Sequence, residues 1–208
     1  MNLLIVAATE LEIAPFLQEN TNVDILITGV GIPATVFELT SKLIDKNYDL
    51  ALQAGIGGTF TEALQPGEVA LISKDTFGDL GISENENFTT LFENGFAEKD
   101  DFPYKNGWLL NPHNYLQKTT LPVVDAITIN TINNNELRIE RCRQKFSAQV
   151  ESMEGAAFHY VCLQQKINFL QVRSISNAVG ERDKTRWLIK KAIENLNKEL
   201  LTIMKNLT

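Results

Sequence analysis

No arginine precedes Arg138; until then the only basic side chains are lysines, among them Lys42, Lys46, Lys74 and Lys99. Cysteine occurs twice, at Cys142 and Cys162. Two are too few for a disulfide framework, and both fall in helix-like stretches that read as buried or half-buried thiols. The two histidines, His113 and His159, lie far from each other and from any Cys or acidic spacing that would hold a metal. They read as surface or core-edge side chains; no zinc motif and no Ser-His-Asp signature is present, so neither metal nor cofactor is expected. Long apolar runs are also missing. Leu3–Ala8 is too short to span a bilayer, has no basic flank and is followed by Glu10 and Glu12. It reads as a buried first strand rather than a leader or membrane segment, and a cytoplasmic protein is expected. Positive charge is in deficit, 19 Lys+Arg against 26 Asp+Glu for a net −7. Such a surface repels phosphate backbones and anionic lipid heads, so neither nucleic acid nor membrane is expected as a partner.

What is present is an ordinary globular composition, 44% hydrophobic and 22% charged over 208 residues. That length suits one domain with a sizeable core. Short apolar runs alternate with stretches of helical period, the pattern of an α/β protein with a central, mostly parallel sheet flanked by helices. Strands are expected at 3–7, 23–28, 49–54, 69–73, 122–132 and 169–175, with a short one ending at Val150. Helices are expected at 10–18, ending near Asn20, and at 33–46, 135–145, 153–165 and 184–206. Pro33 suits the first turn of its helix. Residues 78–118, rich in Gly, Asn, Asp and Phe, read as long excursions of the kind that shape binding sites.

Five segments could carry chemistry. Glu10 and Glu12 stand just past the first strand, where open α/β sheets place their ligands. Two positions apart on a helix they point about 200° from each other, so at most one faces a shared site. From the residues alone, solvated helix-start carboxylates favoured by the dipole are the safer account. Gln53-Ala54-Gly55-Ile56-Gly57-Gly58 reads as a turn after the third strand, its glycines permitting either positive φ or close approach of a ligand. It has no Lys-Ser/Thr ending and is not a P-loop. Gly29-Val30-Gly31 with Ala34 has dinucleotide-like spacing, but it belongs to the second βα unit. Asp49 begins the next strand instead of ending it, so a tight turn is the better reading. Glu154 lies at the first turn of an apolar helix beside small residues, either capping that helix or directed into a cavity. Arg173-Ser174-Ile175-Ser176-Asn177 ends a buried strand in polar groups that need partners, and a ligand can be one.

Taken in order, Ala8-Thr9-Glu10-Leu11-Glu12, the Gly55–Gly58 turn, Ser152-Met153-Glu154-Gly155-Ala156-Ala157 and Arg173–Asn177 resemble the nucleoside phosphorylase superfamily. Their spacing is similar to that of its methylthioadenosine/adenosylhomocysteine nucleosidases. The resemblance covers about residues 1–197, weakly across 78–120. The Val150–Cys162 and Ser176–Trp187 runs are most similar to its futalosine-hydrolysing branch, on the futalosine route to menaquinone.

The resemblance implies a purine nucleoside phosphorylase-like fold, commonly homodimeric, that cuts the N-glycosidic bond of a small nucleoside. It further implies that Glu12 activates water and that Glu154 accepts from the ribose hydroxyls, with Met153 packed on the sugar. Ser152 and Gly57 would lie beside the substrate, Ser176 and Asn177 would address the base, and Arg173 would hold the Glu154 end. The adenine nucleosidases carry Asp where Asn177 stands. An amide offers both an acceptor and a donor, which suits N7–H and O6 of hypoxanthine. The phosphorylases bind phosphate with arginines of their N-terminal half, which this chain lacks, so water is the expected nucleophile. For the 5′ side of the substrate the candidates are Phe102, Tyr104 and Trp108, and for its carboxyphenyl group Arg182, Lys184 and Arg186.

Overall fold

The computed structural model describes residues 1–19, 22–84, 87–112 and 114–207. Asn20 and His113, both considered above, lie outside the described residues. In chain order the elements are β1 (Leu3–Ala7), α1 (Glu10–Leu17), β2 (Asp24–Ile27), α2 (Ile32–Asp45) and β3 (Leu50–Thr59). There follow β4 (Val69–Phe77), β5 (Gly81–Glu84), β6 (Asn87–Thr90), β7 (Leu109–Leu110), β8 (Val123–Thr128) and α3 (Glu136–Phe146). The chain closes with β9 (Val150–Ser152), α4 (Gly155–Gln164), β10 (Asn168–Ala178) and α5 (Ile189–Leu207).

The expected α/β class with a mixed, mostly parallel sheet is what forms. β1 pairs in parallel with β2 and β3, and β3 with β10; β4–β8 and β8–β9 are parallel too. The antiparallel pairs are β10–β4, β3–β9 and β4–β7. One feature goes beyond an open sheet: β3, β10, β4, β8 and β9 pair in a closed ring, with β1 and β2 extending from β3. Closure removes two edges that would otherwise expose unpaired N–H and C=O groups. Apolar layers lie on both faces. Leu3, Ile5, Leu50, Leu52 and Val172 pack with Phe16, Leu196 and Leu200; Leu4, Val6 and Ala51 pack with Leu39, Phe158 and Cys162.

Several local expectations are corrected. The Gly55–Gly58 segment is not a turn: it is the second half of β3, and positive φ is found instead at glycines such as Gly29, Gly31 and Gly180. Its glycines exist for space. A Cβ on Gly55 would overlap the Arg173 guanidinium, and one on Gly57 would stand 2.8 Å from the Glu151 carbonyl oxygen. Val150 begins its strand rather than ending it, and α4 starts at Gly155 with Glu154 as the residue before it. The 78–118 excursion contains the antiparallel β5–β6 hairpin and β7. The last helix is preceded by a 3₁₀ turn at Lys184–Arg186. His159 is no edge residue. It is fully buried, donates from Nδ1 to the Leu109 carbonyl at 2.9 Å, and is pushed down to about 4 by burial, so it sits neutral.

The start of α4 is docked on a buried polar cluster. The Ala156 N–H donates to Thr128 Oγ1 at 2.7 Å, and Thr128 donates in turn to Asp75 Oδ1 at 3.0 Å. Gln171 Nε2 donates to Asp75 Oδ2 at 3.2 Å, and Gly155 is glycine because a Cβ would overlap both of these groups. Burial pushes Asp75 up to about 7, against the pull of Gln171, Thr128 and Arg173. A carboxyl raised in the folded state holds its proton there longer than in the unfolded chain. Its contribution to stability is therefore complete below the ordinary carboxylate range and lost as pH rises through about 7. Asp75→Asn, which keeps the acceptor for Thr128 and offers an amide donor toward the unpartnered Gln171 Oε1, should abolish that loss. Thermal melts between about pH 5 and 8 should fall with pH in the wild type and run flatter in the variant.

Candidate active site

A cleft of about 290 Å³ opens where the carboxyl ends of β1, β3 and β10 meet β9. Of the side chains singled out in the sequence, Glu12, Gly57, Ser152, Met153, Glu154, Ser176 and Asn177 all line it. Arg173 does not, which corrects its place among the substrate-binding residues. It is 1% exposed and lies behind Glu154.

The two glutamates are separated as the helical angle requires: Glu10 is exposed, and Glu12 is 8% exposed. Glu12 is no solvated helix-start carboxylate. Its Oε1 accepts from the Ile56 N–H at 3.0 Å; its Oε2 accepts from both the Thr9 N–H and Thr9 Oγ1 at 3.1 Å. Helix α1 is irregular at Ile13, just before Pro15, where proline removes a helical hydrogen bond. Asn197 of α5 reaches the main chain on either side of this break, donating to the Glu12 carbonyl at 2.8 Å and accepting from the Phe16 N–H at 3.0 Å.

Glu154 precedes α4 without capping it by a side-chain bond. Its Oε1 accepts from the Gly31 N–H at 3.0 Å, and its Oε2 faces Arg173 Nη2 at 3.8 Å. Burial pushes this carboxyl up, Arg173 and the Gly31 amide pull it down, and the neighbouring Glu12 raises it again. Arg173 also donates to Gln53 Oε1 at 2.9 Å. The Gly29-Val30-Gly31 turn thus serves the site through one amide pointed at a carboxylate, and Val30 lines the cleft.

At the other end the register of β10 against β3 shifts: Ile175 pairs with Gly57 and Asn177 with Gly58, leaving Ser176 as the extra residue. A bulge of this kind re-aims the side chains around it. Ser176 Oγ lies 3.1 Å from the Gly57 carbonyl oxygen and 2.7 Å from Asn177 Oδ1, and Asn177 Nδ2 donates to the Ala178 carbonyl at 2.8 Å. The Asn177 amide keeps one lone pair and one N–H for a ligand. Ser152 Oγ accepts from the Gly155 N–H at 3.2 Å.

Sequence reading missed Thr9, Ile56, Ile129, Ile132, Glu151 and Trp187, all of which line the cleft. It also missed Asn197, buried behind Glu12. Asn197 left a visible signal, an amide in the apolar stripe of an amphipathic helix; Thr9, Ile56, Glu151 and Trp187 lie inside the segments quoted above without a role of their own, and Ile129 and Ile132 left no signal. Phe102 and Tyr104 line a different cavity and Trp108 a third. Arg186 is 72% exposed and pairs with Glu181 and Asp183. None of these, nor Arg182 or Lys184, is among the described residues lining the cleft.

Known proteins share this architecture. A futalosine hydrolase of Thermus thermophilus is 27% identical over 210 residues, covering 93% of this chain and 91% of the relative. Among solved structures, a methylthioadenosine/adenosylhomocysteine nucleosidase of S. pneumoniae superposes with a TM-score of 0.84 at 16% identity, covering 100% of both chains. The native futalosine hydrolase of Helicobacter pylori superposes with a TM-score of 0.80 at 16% identity, covering 98% of this chain and 97% of that one. The family profile described as the phosphorylase superfamily matches residues 4–207, and the chain belongs to that superfamily.

Proposed function

We propose that this chain is a futalosine hydrolase: it cuts the N-glycosidic bond of futalosine with water and releases hypoxanthine, a step on the route to menaquinone. The observation that carries this reading is the polarity of the cleft. Glu12 and Glu154 flank it, Asn177 stands at its far end, and no lysine or arginine is among the described residues lining it. Cleaving an N-glycosidic bond builds positive charge on the sugar, which fixed carboxylates stabilise. A phosphate nucleophile would meet three carboxyl groups, Glu12, Glu151 and Glu154, and no cation among the described lining residues, whereas water needs only a positioned base. The futalosine hydrolase from Thermus thermophilus matches over nearly its whole length, which favours this substrate over the adenine nucleosides.

In this reading Glu12, held by three donors on its two oxygens, takes a proton from the attacking water. Glu154 accepts from the ribose hydroxyls, with Met153 beside the sugar, and Arg173 keeps Glu154 in place from behind. Asn177 accepts from N7–H of the leaving base and donates to O6, braced by Ser176. The protein works in the cytoplasm as a homodimer or higher homo-oligomer. Phe37 and Ile44, seven residues apart on α2 and 69% and 71% exposed, give it an apolar row to bury against a second copy.

The first test is chromatographic. Futalosine should yield hypoxanthine with or without phosphate, and methylthioadenosine should yield no adenine; the reverse pattern, or phosphate-dependent turnover, overturns the reading. Glu12→Gln should lower kcat ~10²–10⁴-fold while ligand binding, read by calorimetry, survives. Asn177→Asp should move release toward adenine, because a carboxyl can donate to N7 where the amide here accepts; an unchanged base preference removes Asn177 from base selection.

A further inference from the structure

Four buried side-chain atoms among the described residues have no hydrogen-bond partner, and three of them belong to one cluster: His159 Nε2, Gln171 Oε1 and Arg173 Nε. All three residues are at most 1% exposed, and native folds leave few such groups unpaired. Gln171 and Arg173, two apart on β10, share the sheet face on which α4 packs. His159 lies one helical turn beyond Gly155, whose missing Cβ makes room for Asp75 and Gln171. The Gln171 amide therefore stands between a carboxyl and an imidazole.

Counting protons decides how the amide is turned. A carbonyl oxygen cannot donate, so the 2.9 Å contact with Leu109 fixes the His159 proton on Nδ1. The ring is neutral, which leaves a lone pair on Nε2. Gln171 acts on the same ring, but with its Nε2 on Asp75 it has only Oε1, a second acceptor, to offer there. Turned end for end, which takes no extra room, the amide puts Nε2 on the imidazole and Oε1 on Asp75. Oε1 then needs a donor, and a protonated Asp75 Oδ2 is one, while Oδ1 still accepts from Thr128. The other solution, an imidazolium donating to Oε1 beside an ionised Asp75, is opposed by burial at both residues.

We propose that Asp75 is a neutral acid that donates to Gln171, that Gln171 donates to His159, and that this uncharged relay positions Glu154 by leaving Arg173 to it. The link to the reaction rests on the reading of Glu154 as the acceptor for the ribose hydroxyls. The groups that face Asp75 are Thr128 from β8, Gln171 and Arg173 from β10, the Thr76 amide of its own strand and Gly155 of α4; Leu109 opposes it on β7. Arg173 is the charge among them, and its Nη2 also faces Glu154 Oε2 at 3.8 Å. While Asp75 is neutral, the guanidinium answers Glu154. Ionised Asp75 sets a second carboxylate against the same cation, draws it from Glu154, and turns Gln171 Oε1 back toward the His159 lone pair. Asp75 and Gln171 are positioning residues, since neither is among the described residues lining the cleft.

Two measurements test this, and the first needs no substrate. In protein labelled with carbon-13 and nitrogen-15, the Asp75 carboxyl, identified by its loss in Asp75→Asn, should titrate near 7. His159, told from His113 by its loss in His159→Gln, should stay a neutral Nδ1–H ring between about pH 5 and 8. Its Nε2 shift should move in Gln171→Met, which removes the donor, and hold in Asp75→Asn. A carboxyl titrating in the ordinary range, or an imidazolium at His159, overturns the relay. The second measurement is the pH profile of kcat/KM for futalosine. Wild type should lose about tenfold between pH 6 and 8 as a group near 7 ionises, while Asp75→Asn, whose amide donates at every pH, stays level. An alkaline fall that persists in Asp75→Asn removes Asp75 from the positioning of Glu154 even where futalosine is cleaved. If futalosine is left intact while both resonances behave as stated, the assigned substrate fails and the relay stands.

Discussion

The arrangement turns on a single buried cation. The Arg173 guanidinium is almost wholly removed from water, and stripping an ion of its hydration costs several kcal/mol unless nearby groups replace the lost water. The replacements are Gln53, which accepts from Nη2, and Glu154, whose carboxylate faces the same nitrogen. The space it needs is left by Gly55. Gln53 and Gly55 are on β3, Arg173 on β10 and Glu154 just before α4, so the cation ties the ring of strands to the helix that follows Glu154. The tie also explains why a carboxylate can stand at the mouth of an apolar helix without capping it: its charge is answered from behind and by the Gly31 amide, leaving the other side for a ligand.

The second constraint is geometric. β3 has to serve three neighbours, β1 and β10 along its first half, then β10 and β9 at its end. A strand so crowded cannot also carry side chains at every position, and its second half is accordingly Gly-Ile-Gly-Gly-Thr. The one extra residue in β10, Ser176, lets Asn177 come level with the final glycine. The placing of Asn177 at the cleft is thus a result of this local irregularity.

Much of this was legible in the residues. Glu12 and Glu154 stand out because a carboxylate directly after a buried strand, or at the head of an apolar helix, conflicts with its surroundings. The alternation of apolar runs gives the α/β class. What escaped depends on contacts between residues distant in sequence. Closure of the ring requires β3 to meet β9, and nothing in either run announces its partner. The Gly55–Gly58 run resembles a turn because glycine permits turns, yet here it answers to Arg173, over a hundred positions later. Glu151 was passed over because a three-residue strand has no period from which to read its face, and the 78–118 region because its hairpin is short.

Asn197 ties the start of this chain to its end. Its amide holds the main chain on both sides of the break in α1, including the carbonyl of Glu12 itself, from α5. The brace for the backbone of Glu12 thus lies more than 180 residues away along the chain. The alignment of Glu12 therefore depends on α5 being docked against α1.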